Sequence, residues 1–141
     1  MKIFTDGGCK NQMDPDHENR LMRIVVADEK GTVLVDKTKT GGSNNVAELW
    51  AVTEALLYVN NCDIPADEKI ANVFMDSTNN LAWIEGRVGN NINDKTAVSH
   101  LLTAVYSLRK KVKLTLTWIP RKKNVAGIYM ERTDWPLCAV S

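Results

Sequence analysis

Apolar and polar positions along the first forty residues follow the patterns that strands and turns produce. Residues 2–6 predict a short first strand, and the polar stretch 10–19, which is rich in Asn and Asp and contains a proline, predicts a loop. Residues 20–27 and 32–38 are apolar or alternating runs separated by the polar sequence DEKG. Two such runs around a short polar turn are typical of a β-hairpin. The chain is therefore expected to begin with three strands.

The next segment changes to the period of a helix. Between residues 44 and 60, apolar side chains recur at steps of three and four residues, which places them on one face of a helix. These side chains are Leu49, Val52, Leu56 and Val59. The spacing predicts a helix that packs on the sheet, with Glu48 in its first turn beside the strand ends.

The remainder of the chain alternates between the two periods. Residues 70–76 predict a buried strand, and residues 78–84 and 95–110 predict two helices. Residues 113–119 alternate Leu and Trp with Lys and Thr, as a half-exposed strand does, and residues 124–132 predict a last helix. The order βββ-α-β-α-α-β-α predicts an α/β fold with helices packed on a mixed five-stranded sheet. All 141 residues are expected to form one domain with one core.

Composition narrows the class of protein without assigning a function. The net charge of +1 gives no overall basic field, so any affinity for nucleic acid must come from local patches. Three cysteines without CxxC spacing indicate neither a disulfide framework nor a zinc site. The N-terminus lacks the pattern of a signal peptide, and no apolar stretch approaches the roughly 18 residues of a membrane span. We expect a soluble protein of the reducing cytoplasm without a membrane partner.

Three acidic residues stand at the ends of predicted elements that should meet in one core. Asp6 closes the first strand, Glu48 opens the long helix, and Asp76 closes the strand at residues 70–76. Each alone has a simple structural explanation: a turn with the two following glycines, a capping box, or a helix cap. Together they predict a divalent-metal site, because Mg²⁺ favours oxygen ligands and enzymes that cut phosphodiesters often hold two ions about 3.5–4 Å apart.

Four sequence motifs resemble those of type 1 ribonuclease H in order and spacing. They are FTDGGC at residues 4–9, SNNVAEL at residues 43–49, FMDS at residues 74–77, and TWIPRKKNVAG at residues 117–127. The resemblance extends from residue 2 to about residue 131. It implies the ribonuclease H-like fold and an active site built on Asp6, Glu48 and Asp76, which would bind two Mg²⁺ or Mn²⁺ ions.

The chain departs from this family in its last loop and helix. Many members carry a His there and then a fourth metal-binding Asp, but no His follows His100, and Gly127 stands where the fourth carboxylate is expected. Asn124 is the predicted replacement ligand through its amide oxygen, with a helix N-cap as the alternative. Glu131, about two helical turns further, is the second candidate. Asp134 better fits a residue at a helix end, since a proline follows two positions later.

Several residues are predicted to contact a nucleic acid. Ser43, Asn44 and Asn45 would form a phosphate or sugar-edge site before the helix of Glu48. A shallow groove lined by Gly7, Asn44 and Asn45 would distinguish RNA from DNA through the 2′-hydroxyl group, although turn formation and helix capping are the alternatives. Trp83 would pack against a sugar, as an aromatic residue in the comparable helix does in the family, unless it belongs to the core. These residues are joined by the basic cluster at residues 121–123, in which Arg121 would neutralise phosphates.

The resemblance also implies an activity. The chain is expected to act as a monomeric endoribonuclease that hydrolyses the RNA strand of RNA/DNA hybrids and leaves 5′-phosphate and 3′-hydroxyl ends. Many bacterial members carry a basic protrusion after the helix that holds Trp83, whereas residues 85–94 contain only Arg87 as a basic residue, which predicts weak hybrid binding. The missing His predicts slow turnover. A catalytically decayed hybrid-binding domain and a DNA nuclease of the same superfamily remain as alternatives.

Overall fold

The structure is a computed structural model that describes residues 1–86 and 95–135, without the side chain of Asn79. Its regular elements are β1 (Lys2–Lys10), β2 (Leu21–Asp28), β3 (Val33–Thr40), α1 (Asn44–Asn61), β4 (Ile70–Met75), α2 (Thr78–Ile84), α3 (Lys95–Leu108), β5 (Lys113–Trp118) and α4 (Val125–Arg132). Short 3₁₀ turns occupy His17–Asn19, Ala66–Glu68 and Arg121–Lys123. The element order predicted from the sequence is confirmed.

The strands form one mixed five-stranded sheet in the order β3-β2-β1-β4-β5. The first three strands pair antiparallel, as the hairpin pattern predicts, whereas β4 lies parallel to both β1 and β5. Because β1 and β4 are parallel neighbours, their carboxyl ends lie at the same edge of the sheet. The α/β class and the mixed sheet are therefore confirmed.

Strand β2 is buried on both of its faces, and its sequence shows how. Alternate residues of a strand point to opposite faces. Ile24 and Val26 belong to the larger core cluster with α1 and α3, whereas Val25 and Ala27 pack against α4 in a smaller cluster. The nearly continuous apolar run of β2 is what a strand buried on both faces requires.

Strand β1 is longer than the sequence predicts, and this corrects the local environment of Asp6. The pairing of β1 with β2 continues from Ile3 to Lys10, so Asp6 lies within the strand and not in a turn. The pairing with β4 ends at Phe4. Asp6 therefore lies just beyond the point where β1 and β4 part, with its backbone held by β2. The two glycines remain extended because the ladder from β2 supplies their hydrogen bonds.

Two further expectations concern the surface of the chain. Among the described residues, no helix is long and apolar enough to cross a membrane. The predicted absence of a basic protrusion depends on residues 85–94, of which residues 87–94 lie outside the described part of the chain. That expectation stays a prediction.

Candidate metal centre and adjoining cleft

Three carboxylates from separate elements meet at one edge of the sheet. Asp6 comes from β1, Glu48 from the first turns of α1, and Asp76 from the residue after β4. One oxygen from each of the three carboxylates lies within 4.8 Å of the other two. The three acids singled out in the sequence are thus brought together by the fold.

Gly7 allows α1 to approach β1 closely enough to deliver Glu48. A Cβ atom at position 7 would overlap the Ala47 carbonyl group and lie 2.6 Å from the Glu48 backbone nitrogen. These are backbone atoms, so the clash could not be relieved by a side-chain movement. Gly7 is therefore required for the packing of α1 against β1, in addition to the groove contact predicted for it.

Burial and the repulsion from neighbouring carboxylates make Asp6 and Glu48 hard to ionise. The pKa of Asp6 is raised to about 7, first by burial and then by the charges of Asp76 and Glu48. The pKa of Glu48 is also raised to about 7, again first by burial, against a hydrogen bond from Ser77 that lowers it. The positive charge of Arg121 acts in the lowering direction on both groups. A cation among these oxygens would relieve the repulsion, so the donor set fits a hard divalent ion.

Ser77 and Asn80 support Glu48 from the start of α2. The Ser77 hydroxyl group caps α2 by accepting from the Asn80 backbone N–H at 3.2 Å, so the cap of this helix is Ser77 and not Asp76. The buried Asn80 amide donates to the Ser77 Oγ and to the Asn45 carbonyl oxygen, both at 3.1 Å. Asn80 thereby links the beginnings of α1 and α2. The sequence did not single out this residue, because Asn80 is one of three consecutive polar residues at the start of the helix TNNLAWI.

Asn124 is fully buried and its amide is oriented by its neighbours. The amide nitrogen donates to the Thr5 carbonyl oxygen at 2.9 Å and to Asp76 Oδ2 at 3.2 Å. The amide oxygen accepts from the Ala126 N–H at 3.2 Å, which makes Asn124 the N-cap of α4. Reversing the amide would set two oxygens against each other at Thr5, so this orientation is the one that the hydrogen bonds favour. The structure thus presents a donor to Asp76 where the sequence predicted an oxygen ligand.

The backbone of α4 lies directly against Asp6. A Cβ atom at Gly127 would stand 3.0 Å from Asp6 Oδ2, so the position expected for a fourth carboxylate is indeed beside the acids and carries no side chain. Glu131 lies four residues later, on the same face of α4. Its side chain is 68% exposed and lies 3.9 Å from Arg121 Nε, whose side chain is 80% exposed.

A cleft of about 430 Å³ opens beside the carboxylates. Its walls are formed by β1, the start of α1, the loop before α4, and α4 itself. The lining residues are Asp6, Gly7, Gly8, Cys9, Asn44, Asn45, Glu48, Arg121, Gly127, Met130, Glu131 and Trp135. Four of the six residues predicted to bind substrate, Gly7, Asn44, Asn45 and Arg121, therefore line one continuous cavity with two of the three acids.

The other two predicted substrate residues do not line the cleft. Ser43 is the N-cap of α1, and its hydroxyl accepts from the Val46 N–H at 3.3 Å. Trp83 is only 9% exposed and packs in the larger core cluster. The burial of Trp83 agrees with the core alternative and not with the sugar contact predicted for it.

Asn44 is fixed from two sides. Its side-chain oxygen accepts from the Cys9 N–H at 2.7 Å, and its own backbone N–H donates to the Gln12 side chain at 3.0 Å. Gln12 and Trp135 were not singled out in the sequence. Gln12 belongs to a segment that is simply polar in sequence, and Trp135 lies beyond the last predicted helix, so neither had a periodic pattern to mark it.

The mixed sheet and its carboxylate cluster define an α/β protein with a candidate divalent-metal centre. Residues 1–130 match the family model described as RNase H, and the chain therefore belongs to the RNase H family. No match was found among curated proteins.

Solved structures confirm the fold. The N-terminal RNase H domain of rv2228c from Mycobacterium tuberculosis, solved as a fusion with maltose binding protein, is 21% identical over 91% of this chain and 92% of that chain, with a TM-score of 0.65. LC11-RNase H1 in complex with an RNA/DNA hybrid is 24% identical over 87% of each chain, with a TM-score of 0.60. RNase H1 from the halophilic archaeon Halobacterium salinarum NRC-1 is 14% identical over 92% of this chain and 93% of that chain, with a TM-score of 0.61.

Proposed function

We propose that this chain is a metal-dependent endoribonuclease that hydrolyses the RNA strand of RNA/DNA hybrids and leaves 5′-phosphate and 3′-hydroxyl ends. The observation that carries the proposal is the convergence of Asp6, Glu48 and Asp76 within 4.8 Å of one another. Membership of the RNase H family and the likeness to a hybrid-bound RNase H1 support the substrate class. We further propose that the protein acts as a monomer in the cytoplasm.

The three carboxylates would hold two Mg²⁺ or Mn²⁺ ions. When bound, such ions activate the attacking water and stabilise the oxygen that leaves. The protein's part is to keep the carboxylates in place: β1 holds Asp6, Ser77 holds Glu48 by a hydrogen bond, and Asn124 holds Asp76. The raised pKa values of Asp6 and Glu48 mean that cation binding and deprotonation are coupled.

For the fourth ligand, the geometry favours Glu131 over Asn124. A ligand role for Asn124 would require its amide to turn and to give up the bonds to Ala126 and Thr5. Helical side chains lean toward the helix N-terminus, and Glu131 lines the same cleft as Asp6 and Glu48. Its only ion pair among the described residues is a long contact with exposed Arg121 at 3.9 Å, which is easily given up. We therefore propose Glu131 as the fourth carboxylate and Asn124 as a positioning residue.

The cleft offers the groups that a hybrid requires. Since the side-chain oxygen of Asn44 is occupied by the Cys9 N–H, its amide nitrogen is the atom that can donate to a 2′-hydroxyl group or a base. Gly7, which has no side chain, leaves room in the cleft beside Asn44. Arg121 adds a permanent positive charge near the carboxylates, and it can contact a phosphate.

Incubation of the purified protein with an end-labelled RNA/DNA hybrid in Mg²⁺ or Mn²⁺ tests the proposal. Duplex DNA and duplex RNA serve as substrate controls. Asp6→Asn is the variant, and the exposed Asp67→Asn is its matched control. We expect cutting of the RNA strand of the hybrid alone, lost in Asp6→Asn and retained in Asp67→Asn.

Two other outcomes would point elsewhere. Binding of the hybrid without cutting in either metal would favour a binding domain whose catalysis has decayed. The absence of a carboxylate at Gly127 would be the structural reason for the decay. Cutting of duplex DNA would favour a DNA nuclease instead.

A further inference from the structure

The ring of Trp135 forms one wall of the cleft. A Cβ atom at Gly8 would lie 3.5 and 3.6 Å from the Cζ2 and Cη2 atoms of the Trp135 ring, so the ring stands directly over this glycine. The Lys10 ammonium lies 4.9 Å from the ring centre, within the range of a cation–π contact. Trp135 lines the cleft that holds Asp6 and Glu48, and Lys10, which does not line the cleft, places a positive charge over the ring.

The segment that carries Trp135 is anchored to the sheet. Arg23, which is buried on the α4 face, donates to the Thr133 carbonyl oxygen at 3.3 Å and to the Thr133 hydroxyl at 2.9 Å. Asp36 holds the same guanidinium at 2.8 Å. Trp135 itself packs against the smaller core cluster, which includes Met130. The ring is therefore a fixed wall of the cleft.

The register of β1 sets the distance between this ring and the metal centre. Residues 6, 8 and 10 share one face of the strand, as their contacts with α4 and Trp135 show. Two residues of a strand span roughly 7 Å, which corresponds to one or two nucleotide steps of roughly 3.4 Å each along a duplex axis. Because Gly8 has no side chain, the ring can lie close to the backbone of β1.

We propose that Trp135 packs against a pentose ring of the bound hybrid, one or two nucleotides from the bond that is cut, while Lys10 contacts the adjoining phosphate. This inference rests on the proposed function. A flat apolar face beside a cation matches the alternation of sugar and phosphate along a nucleic-acid backbone. Trp135 then takes the aromatic role that the sequence had pointed to in Trp83, whose ring is buried.

Hybrid binding by variants of Trp135 tests the inference. Affinity for a fluorescent hybrid is measured in Mg²⁺ with Asp6→Asn as the background, which prevents cutting. Trp135→Ala is compared with Trp135→Phe and with Tyr106→Ala, which removes an exposed aromatic ring of α3 that does not line the cleft. We expect about tenfold weaker binding for Trp135→Ala, since loss of an aromatic contact to a nucleotide is worth roughly 1–3 kcal/mol. Trp135→Phe should recover most of the loss, and Tyr106→Ala should bind normally.

A second measurement identifies the nucleotide that Trp135 contacts and the strand to which this nucleotide belongs. A single 2′-O-methyl group is moved through successive positions of the RNA strand, and then of the DNA strand, in otherwise identical hybrids. We expect one position at which the methyl group weakens binding only when Trp135 is present. The strand that carries this position supplies the pentose.

Three results would overturn the inference: unchanged affinity of Trp135→Ala, equal losses of affinity and melting temperature in the Ala and Phe variants, or a loss that no position in either strand modulates. The equal losses would assign Trp135 a structural role. Failure of the proposed function is a separate result: the natural protein would cut no hybrid, whatever effect the Trp135 variants have on hybrid binding.

Discussion

Gly127 and Asp6 are in direct contact across the boundary between α4 and β1. The space beside the Gly127 Cα is so limited that an added Cβ atom would lie 3.0 Å from Asp6 Oδ2. The helix backbone therefore covers Asp6, which is 8% exposed, and this burial is the first cause of its raised pKa. Position 127, where a fourth carboxylate is expected, therefore shields Asp6 from solvent and contributes no ligand atom.

The thermal stability of the Gly127→Asp variant should depend more strongly on Mg²⁺ than that of the natural protein. A fourth carboxylate adds repulsion to a site in which Asp6 and Glu48 already ionise with difficulty. We expect a lower melting temperature than that of the natural protein in EDTA and a larger increase on adding Mg²⁺. Gly127→Asn, which has the same shape without the charge, is the control. Equal Mg²⁺-induced shifts in the two variants would show that position 127 does not reach the ions.

The stability of the metal-free protein should fall as pH rises toward 8. Folding raises the pKa of Asp6 from 3.8 and that of Glu48 from 4.5, in both cases to about 7. Folding thus favours the protonated forms; the stabilisation is complete below the unfolded values and is lost as pH rises through about 7. Thermal unfolding in EDTA at pH 5.5 and pH 8 measures this. Asp6→Asn should melt higher than the natural protein at pH 8, on the order of 5 °C, whereas Asp67→Asn should not.

The sequence predicted the cluster of three carboxylates better than the cleft beside it, for a physical reason. Asp6, Glu48 and Asp76 adjoin strong periodic elements, and the parallel pairing of β1 with β4 brings such ends together. The length of β1 could not be read from its own residues, because the Gly-Gly pair stays extended through its pairing with β2. Likewise, the sequence could not show that Trp83 is buried in the core, or that the segment before Trp135 is held by contacts between Arg23 and Thr133, which lie far apart in the chain.

Asn124→Ala should destabilise the fold by about 2 kcal/mol, because it removes a helix cap and leaves the buried Thr5 carbonyl oxygen without its side-chain donor. Asn124→Ser keeps a capping oxygen and should recover about 1 kcal/mol. Urea unfolding in EDTA measures both. If Asn124 were instead a metal ligand, the Ala variant would lose affinity for Mg²⁺ in calorimetry while its stability in EDTA stayed close to that of the natural protein.

Ser77→Ala should shift Mg²⁺ binding to higher pH. The Ser77 hydrogen bond lowers the pKa of Glu48 against the effect of burial, so its loss leaves Glu48 protonated over a wider pH range. Since a carboxylate must be ionised to bind a cation, the rise of Mg²⁺ affinity with pH should occur at a higher pH than in the natural protein. The exposed Thr78→Ala is the matched control. A pH profile identical to that of the natural protein would show that Ser77 serves only as the cap of α2.

The Glu131→Gln variant tests whether Glu131 is a metal ligand or only a surface residue. The contact between Glu131 and Arg121 is long and both side chains are largely exposed, so its loss should leave stability in EDTA unchanged. If Glu131 provides the fourth carboxylate, the same variant should bind Mg²⁺ several-fold more weakly, because one charged ligand becomes neutral. Calorimetric titration with Mg²⁺ measures the affinity, and the exposed Glu68→Gln controls for the change in net charge. Equal Mg²⁺ affinity in the two variants would exclude Glu131 and leave the ions to Asp6, Glu48 and Asp76 alone.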